Sequence, residues 1–179
     1  NVLNALAAVA VGIESGMKLD DCIIALGNYC GDGIRQNIIN VNGITIIDDT
    51  YNAGPESMRA SLSVLRDLNG VKRRIAILGD MLELGDESEK AHIEIGAYAA
   101  ESKVDVLITA GEKMKPAADE YVRKCKEKCT ERLAIKYDNS DLVSKAVIDL
   151  VSEGDAVLVK GSHSMHMEVV SKAITNRKN

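Results

Sequence analysis

Phenylalanine and tryptophan are missing from the 179 residues, and five tyrosines supply every aromatic ring. So few flat side chains leave little with which to stack nucleobases, and a single-stranded nucleic-acid platform is not expected. A surplus of positive charge is missing too. The formal net charge is −5, with acids and bases interspersed, whereas a nucleic-acid footprint needs clustered cations. No run approaches eighteen uninterrupted apolar residues, so no membrane span is readable. Cysteine is sparse: Cys22, Cys30, Cys125 and Cys129. Cys125 and Cys129 share a helical stripe with Met114, Ala118, Tyr121 and Val122. That spacing predicts buried thiols rather than a metal pair, which would need a second ligand set. No secretory leader is readable, and reduced thiols in a cytoplasmic protein are the expectation.

What is present is the mix of a folded domain of ordinary size, 46% apolar and 27% charged. The chain opens at Asn1 inside a helical pattern (Leu3, Leu6, Ala7, Ala10) with no capping residue ahead of it. An uncapped first turn leaves backbone donors unsatisfied, which points to a fragment cut from its natural neighbour.

The periodicity predicts two short helices first, one running to about Ser15 and one over Leu19–Leu26 that buries Cys22, Ile23 and Leu26. Gly31, Asp32 and Gly33 then read as a hinge. Apolar β-branched runs at Ile38–Val41 and Ile44–Asp48 flank Asn42-Gly43, a strong hairpin signal. An alternation of helices and strands follows. The helices are predicted over Pro55–Leu68, Asp86–Ala100, Lys113–Lys126, Ser140–Val151 and Ser164–Thr175. The strands between them are predicted over Ile75–Leu78, Val104–Thr109, Leu133–Lys136 and Ala156–Val159. Asp86-x-x-Glu89 is the expected cap of its helix. Short, almost wholly apolar strands alternating with helices predict an α/β fold with a doubly wound, mostly parallel sheet and one antiparallel edge strand, preceded by a short helical segment.

In such sheets ligands bind beyond the carboxyl ends of the strands. Five loops fall there: Asp48 to Asn52; Gly79-Asp80 with Glu83; Ala110-Gly111-Glu112; Tyr137-Asp138-Asn139; and Lys160-Gly161-Ser162. Four hold a carboxylate and the fifth a lysine. Helix N-caps favour the same residue types, so no single loop decides between capping and binding. In the first loop Asp49 or Asn52 could cap the helix that Pro55 opens. Alternatively, Asp49 could accept a ribose diol while Tyr51 and Asn52 orient a substrate. Lys160-Gly161-Ser162 supplies a cation and backbone donors ahead of a helix, a ready anion site, although it is not a Walker A loop. Gly79–Gly85 alternates apolar and acidic residues, and reads as a lid or wall presenting Asp80 and Glu83 to a charged amine. His163, His166 and His92 could be imagined around a metal, but no carboxylate joins them at ligand spacing, and no metal site is expected. Met165 and Met167 read as packing residues.

These segments resemble a known family. Asp48-Asp49-Thr50-Tyr51-Asn52-Ala53-Gly54-Pro55-Glu56-Ser57-Met58 is similar to the DD-x-YNANP-x-SM signature of the Mur ligases that add D-alanyl-D-alanine to the UDP-muramoyl tripeptide. Gly79–Gly85, with His92 and Gly96, resembles that family's GDMLELG…H…G stretch. Lys160 to Glu168 resembles its KGSRSMxME motif, and Asn1 to Ala8 its HN-xx-N-x-xAA helix. The resemblance implies an ATP-dependent peptide ligase of peptidoglycan-precursor synthesis, with a Rossmann-like C-terminal domain at 33–179 and, at 1–32, the helical tail of a central ATPase domain. ATP and Mg2+ would be held mainly by that central domain, which with the N-terminal UDP-binding domain lies outside this chain. By carry-over, Asn4, Arg35 and Asp49 would bind ATP. Lys160 and Asn52 would act at the acyl-phosphate site, and Tyr51, Asp80, Glu83 and Ser162 would bind substrate. Gly54 stands where the family has Asn, and His163 where it has Arg. Because the phosphate-gripping loop is absent, the fragment alone is expected to be inactive. A related Mur ligase or folylpolyglutamate synthase domain with another acceptor is the nearer alternative. A receiver-like signalling module is the other, but Thr109 stands where it requires a phospho-accepting Asp.

Overall fold

In the computed structural model, residues 2–29 and 37–177 are described. They divide into two compact units, Asn1–Gly33 and Ile34–Asn179. The first holds helices α1 (Val2–Glu14) and α2 (Leu19–Gly27). Of the three side chains expected to be buried in α2, Cys22 is. Ile23 and Leu26 are not, at 56% and 36% exposed. Two short helices meet along one seam only, and residues off that seam face outward. Cys30, Arg35 and the Gly31–Gly33 hinge lie outside the described residues.

In the second unit a six-stranded sheet runs in the order β1-β2-β6-β3-β4-β5. Its strands are β1 (Asn37–Val41), β2 (Ile44–Asp49), β3 (Arg73–Gly79), β4 (Val106–Ala110), β5 (Leu133–Tyr137) and β6 (Asp155–Lys160). Only β1 is antiparallel, joined to β2 by the Asn42-Gly43 turn, where both residues take positive φ (50° and 72°) as a two-residue hairpin of this hand requires. Helices α3 (Pro55–Asp67), α4 (Ser88–Glu101), α5 (Lys115–Glu127), α6 (Ser140–Leu150) and α7 (Glu168–Thr175) cover both faces. The core divides accordingly. Met58, Leu62 and Leu65 of α3, Ile95 of α4 and Tyr121 of α5 pack on Ile47, Leu78 and Leu158. On the other face Val143 and Val147 of α6 and Val170 and Ile174 of α7 pack on Ile46, Ile77 and Val159. All six residues of β6 are buried, as befits a central strand covered on both faces.

Two helix starts and the burial of one cysteine differ from the periodicity for identifiable reasons. The last helix begins at Glu168 rather than Ser164. A single 3-10 turn, His163–Met165, comes first, and His166 at φ 51° breaks the helical path. A 3-10 turn at Gly85–Glu87 likewise precedes α4, so the Asp86-x-x-Glu89 cap does not form. Cys125 is buried, but Cys129 lies past the end of α5 at φ 52° and is exposed, which removes it from the apolar stripe.

Candidate functional site

Alternation along the strands decides which side chains meet. Asp49 shares the parity of Ile47 on β2, and Lys160 that of Leu158 on β6, so both point to the face covered by α3. The two strands are parallel neighbours with Asp49 opposite Lys160, although 111 residues separate them in sequence. The Lys160 ammonium donates to Asp49 Oδ2 at 2.7 Å and to the Asn52 carbonyl at 2.8 Å. Ser61 of α3 donates to the same Asp49 oxygen at 2.6 Å. Lys160 is 2% exposed and Asp49 6%. Among the described residues the hydrogen bonds to the Asp49 carboxylate end on Oδ2, not Oδ1.

From β6 the network runs into the neighbouring loops. Ser162 donates its backbone N–H to the Asp80 carbonyl at 3.0 Å, and its Oγ accepts the Leu82 N–H at 2.8 Å. The Asp80 carboxylate accepts the Met114 N–H at 2.8 Å, tying the loop after β3 to the one after β4. Burial pushes the Asp80 pKa up from its ordinary value, while backbone N–H bonds from Lys113 and Met114 pull it down. Gly111 makes room for this carboxylate. It sits at φ 106°, and a Cβ there would lie 2.4 Å from the Asp80 carboxyl carbon. Where the rim loops of β3 and β6 cross, a Cβ on Gly79 would lie 3.4 Å from the Gly161 Cα. Glu83 is exposed at the tip of the Gly79–Gly85 loop, at φ 64°. The exposed Tyr51 ring lies 6.1 Å from that of His163, which in turn lies 6.5 Å from His166. Asn52 uses its side chain locally, its Oδ1 accepting the Ala53 N–H at 2.8 Å. Gly54, not Asp49 or Asn52, occupies the N-cap of α3.

The structure therefore gathers Asp49, Asn52 and Lys160 into one hydrogen-bonded group and Ser162 and Asp80 into a second, the two meeting where Ser162 Oγ lies 3.5 Å from the Ala53 carbonyl oxygen, with Tyr51 and Glu83 on the loops that carry them. Asn4 belongs to the first unit, and Arg35 lies outside the described residues. Sequence reasoning missed Ser61, and named His92 only within a motif and as a discounted metal ligand. Ser61 sits on the apolar stripe of α3 with Met58, Leu62 and Leu65, and His92 on that of α4 with Ile95. A polar residue on a core-facing stripe was the available signal. His92 is fully buried. Its Nε2 accepts the Met81 N–H at 3.0 Å, and its Nδ1 lies 2.6 Å from the Ser88 carbonyl. Among the described residues no group of three or more His, Cys, Asp or Glu could hold a metal ion. A cavity of about 530 Å³ lined by Asn42, Glu153 and Arg177 lies at the opposite end of the sheet from these groups. No helix among the described residues is long and apolar enough to cross a membrane.

Fold and rim define a doubly wound α/β domain with acidic, amide and lysine groups at the carboxyl ends of its central strands, where ligands bind in such sheets. The family model described as "Mur ligase, glutamate ligase domain" matches residues 34–163, and the chain belongs to the Mur ligase family. It is 37% identical over 173 residues to the UDP-N-acetylmuramoyl-tripeptide–D-alanyl-D-alanine ligase of Bacillus subtilis, covering 96% of this chain and 37% of that protein. To the ligase of the same name from Escherichia coli it is 32% identical, covering 97% and 36%. Among solved structures, MurF from Acinetobacter baumannii superposes with a TM-score of 0.82 at 32% identity, over 99% of this chain and 37% of that one. MurF ligase from Thermotoga maritima in complex with ADP does so with a TM-score of 0.76 at 28% identity, over 97% and 37%. The chain spans little more than a third of the length of the curated relatives it matches.

Proposed function

We propose that this chain is the acceptor-positioning C-terminal part of a cytoplasmic ATP-dependent ligase that joins D-alanyl-D-alanine to UDP-N-acetylmuramoyl-tripeptide during peptidoglycan-precursor synthesis. The observation that carries this is the meeting, at one rim of the sheet, of the Asp49–Lys160–Asn52 group with the Ser162–Asp80 group. The segments that form it are those that match the ligase motifs. ATP, when bound, supplies the phosphoryl group that activates the tripeptide carboxylate; Mg2+ belongs with it in the central domain.

This chain's residues have the remaining work of positioning an amine and balancing charge. Asp49, with Oδ2 held by Lys160 and Ser61, is the ribose-binding residue of the second unit; Asn4 and Arg35 are nucleotide-binding residues by motif resemblance alone. Lys160 neutralises Asp49 and fixes the Asn52 carbonyl, and through these bonds shapes the acyl-phosphate side of the site. Tyr51, Ser162, Asp80 and Glu83 border the acceptor, with exposed Glu83 suited to an ammonium. The receiver-like alternative finds no support at β4, where a buried Thr109 stands in place of the phospho-accepting Asp it requires.

The test is ADP release by the intact ligase that contains this domain, supplied with the nucleotide tripeptide and alternative acceptors. D-alanyl-D-alanine is expected to be preferred over a single diamino acid or glutamate. A preference for either of those would move the chain to a related ligase.

A further inference from the structure

We infer that His92 is a positioning residue for the acceptor loop, its Nε2 holding the Met81 N–H so that Glu83 is presented from a fixed backbone. The inference rests on the acceptor reading of the rim. Three consecutive residues of the loop are tied down, each to a different element. The Asp80 carboxylate takes the Met114 N–H, His92 takes the Met81 N–H, and Ser162 takes the Leu82 N–H. The next residue, Glu83, is exposed in the left-handed region at φ 64°. A non-glycine residue persists there only where its surroundings over-determine the backbone, and such positions concentrate at ligand sites. Unlike Asp80 and Ser162, His92 lies within helix α4 and is fully buried, so any effect it has on a substrate passes through the loop.

The ring's state follows from its partners. A backbone N–H can only donate, so Nε2 presents a lone pair to Met81, and Nδ1 carries the hydrogen and donates to the Ser88 carbonyl. Only a side chain with an acceptor at the Nε2 distance can replace it. Glutamine reaches that position, asparagine stops near Nδ1, and leucine offers bulk without an acceptor.

Two measurements on His92→Gln, His92→Asn and His92→Leu decide the matter. In the intact ligase, the asparagine and leucine variants are expected to raise the KM for D-alanyl-D-alanine at least tenfold, the effect of leaving one buried amide unpaired. The KM for ATP should change less than about twofold, and the glutamine variant should stay close to wild type. Equal rises in both KM values, or a glutamine variant as impaired as leucine, would mark His92 as a residue of general stability and overturn the inference. In the 179-residue chain, imidazole 15N resonances are expected to show an unprotonated Nε2 and a protonated Nδ1. Exchange of the Met81 amide with solvent should be faster in the asparagine variant than in the glutamine one. The opposite tautomer, or equal exchange, would also overturn it. An intact enzyme that refuses D-alanyl-D-alanine sinks the proposed function instead, and the resonance and exchange results still decide the role of His92.

Discussion

Lys160 spends its charge inside the protein. At 2% exposure its ammonium has lost nearly all its water, and the bonds to Asp49 and Asn52 replace that hydration. Removing one member of a buried pair strands the other. Lys160→Met is therefore expected to lower stability by about 3–5 kcal/mol, with Asp49→Asn in that background recovering part of the loss. Urea titration of the two single variants and the double variant measures this, and purely additive effects would show the pair to be uncoupled. Asp80 gives a pH-dependent prediction. Burial raises its pKa above 3.8, so the folded state holds the proton more tightly than the unfolded chain. Its contribution to stability is thus fully present below the ordinary carboxylate range and is lost as pH rises through the raised value. Asp80→Asn removes this dependence. Unfolding free energies measured from pH 3 to 7 should show wild type losing ground to the variant as pH increases across that window. Both residues were legible as rim candidates from their loops, but their partners were not. Nothing local to Lys160 announces Ser61 or Asp49, and only a polar residue on each apolar stripe hinted at Ser61 and His92.

Among the elements, the pairing of α4 with α5 depends on one missing side chain. A Cβ on Gly96 would come 2.1 Å from the Ala117 carbonyl oxygen, and backbone cannot yield as a flexible side chain can. Gly96→Ala is expected to cost about 1–3 kcal/mol through overpacking, read as a fall in Tm. Gly111→Ala combines unfavourable φ with a clash against Asp80, and should be destabilising as well. Here the pattern of residues was informative about kind and poor about limits. Every helix and strand of the second unit was readable as such, because buried strands and amphipathic helices differ in period. The starts of α4 and α7 were misplaced, because single 3-10 turns carry no apolar period and His166 adopts a left-handed conformation that its residue type does not announce.

For the molecule as a whole, the chain offers a rim without the loop that grips ATP phosphates. The isolated 179 residues are therefore expected to release no ADP when given ATP, nucleotide tripeptide and D-alanyl-D-alanine, while the intact ligase does so. A coupled assay of ADP appearance on both proteins checks this. Release by the isolated chain would mean that phosphates are held by groups the rim does not display.

Local rules carried by the sequence alone were enough for the layer architecture, the hairpin and the set of rim loops: side-chain period, the Asn42-Gly43 turn, proline at the start of a helix, and ligand loops at strand ends. The order of the strands was decided only in three dimensions. Placing β6 between β2 and β3 puts Lys160 across from Asp49 and lets Ser162 reach Asp80 and Leu82. The reason is physical: strand neighbours are chosen by the burial of both sheet faces at once, a property of the assembled core that no stretch of sequence contains.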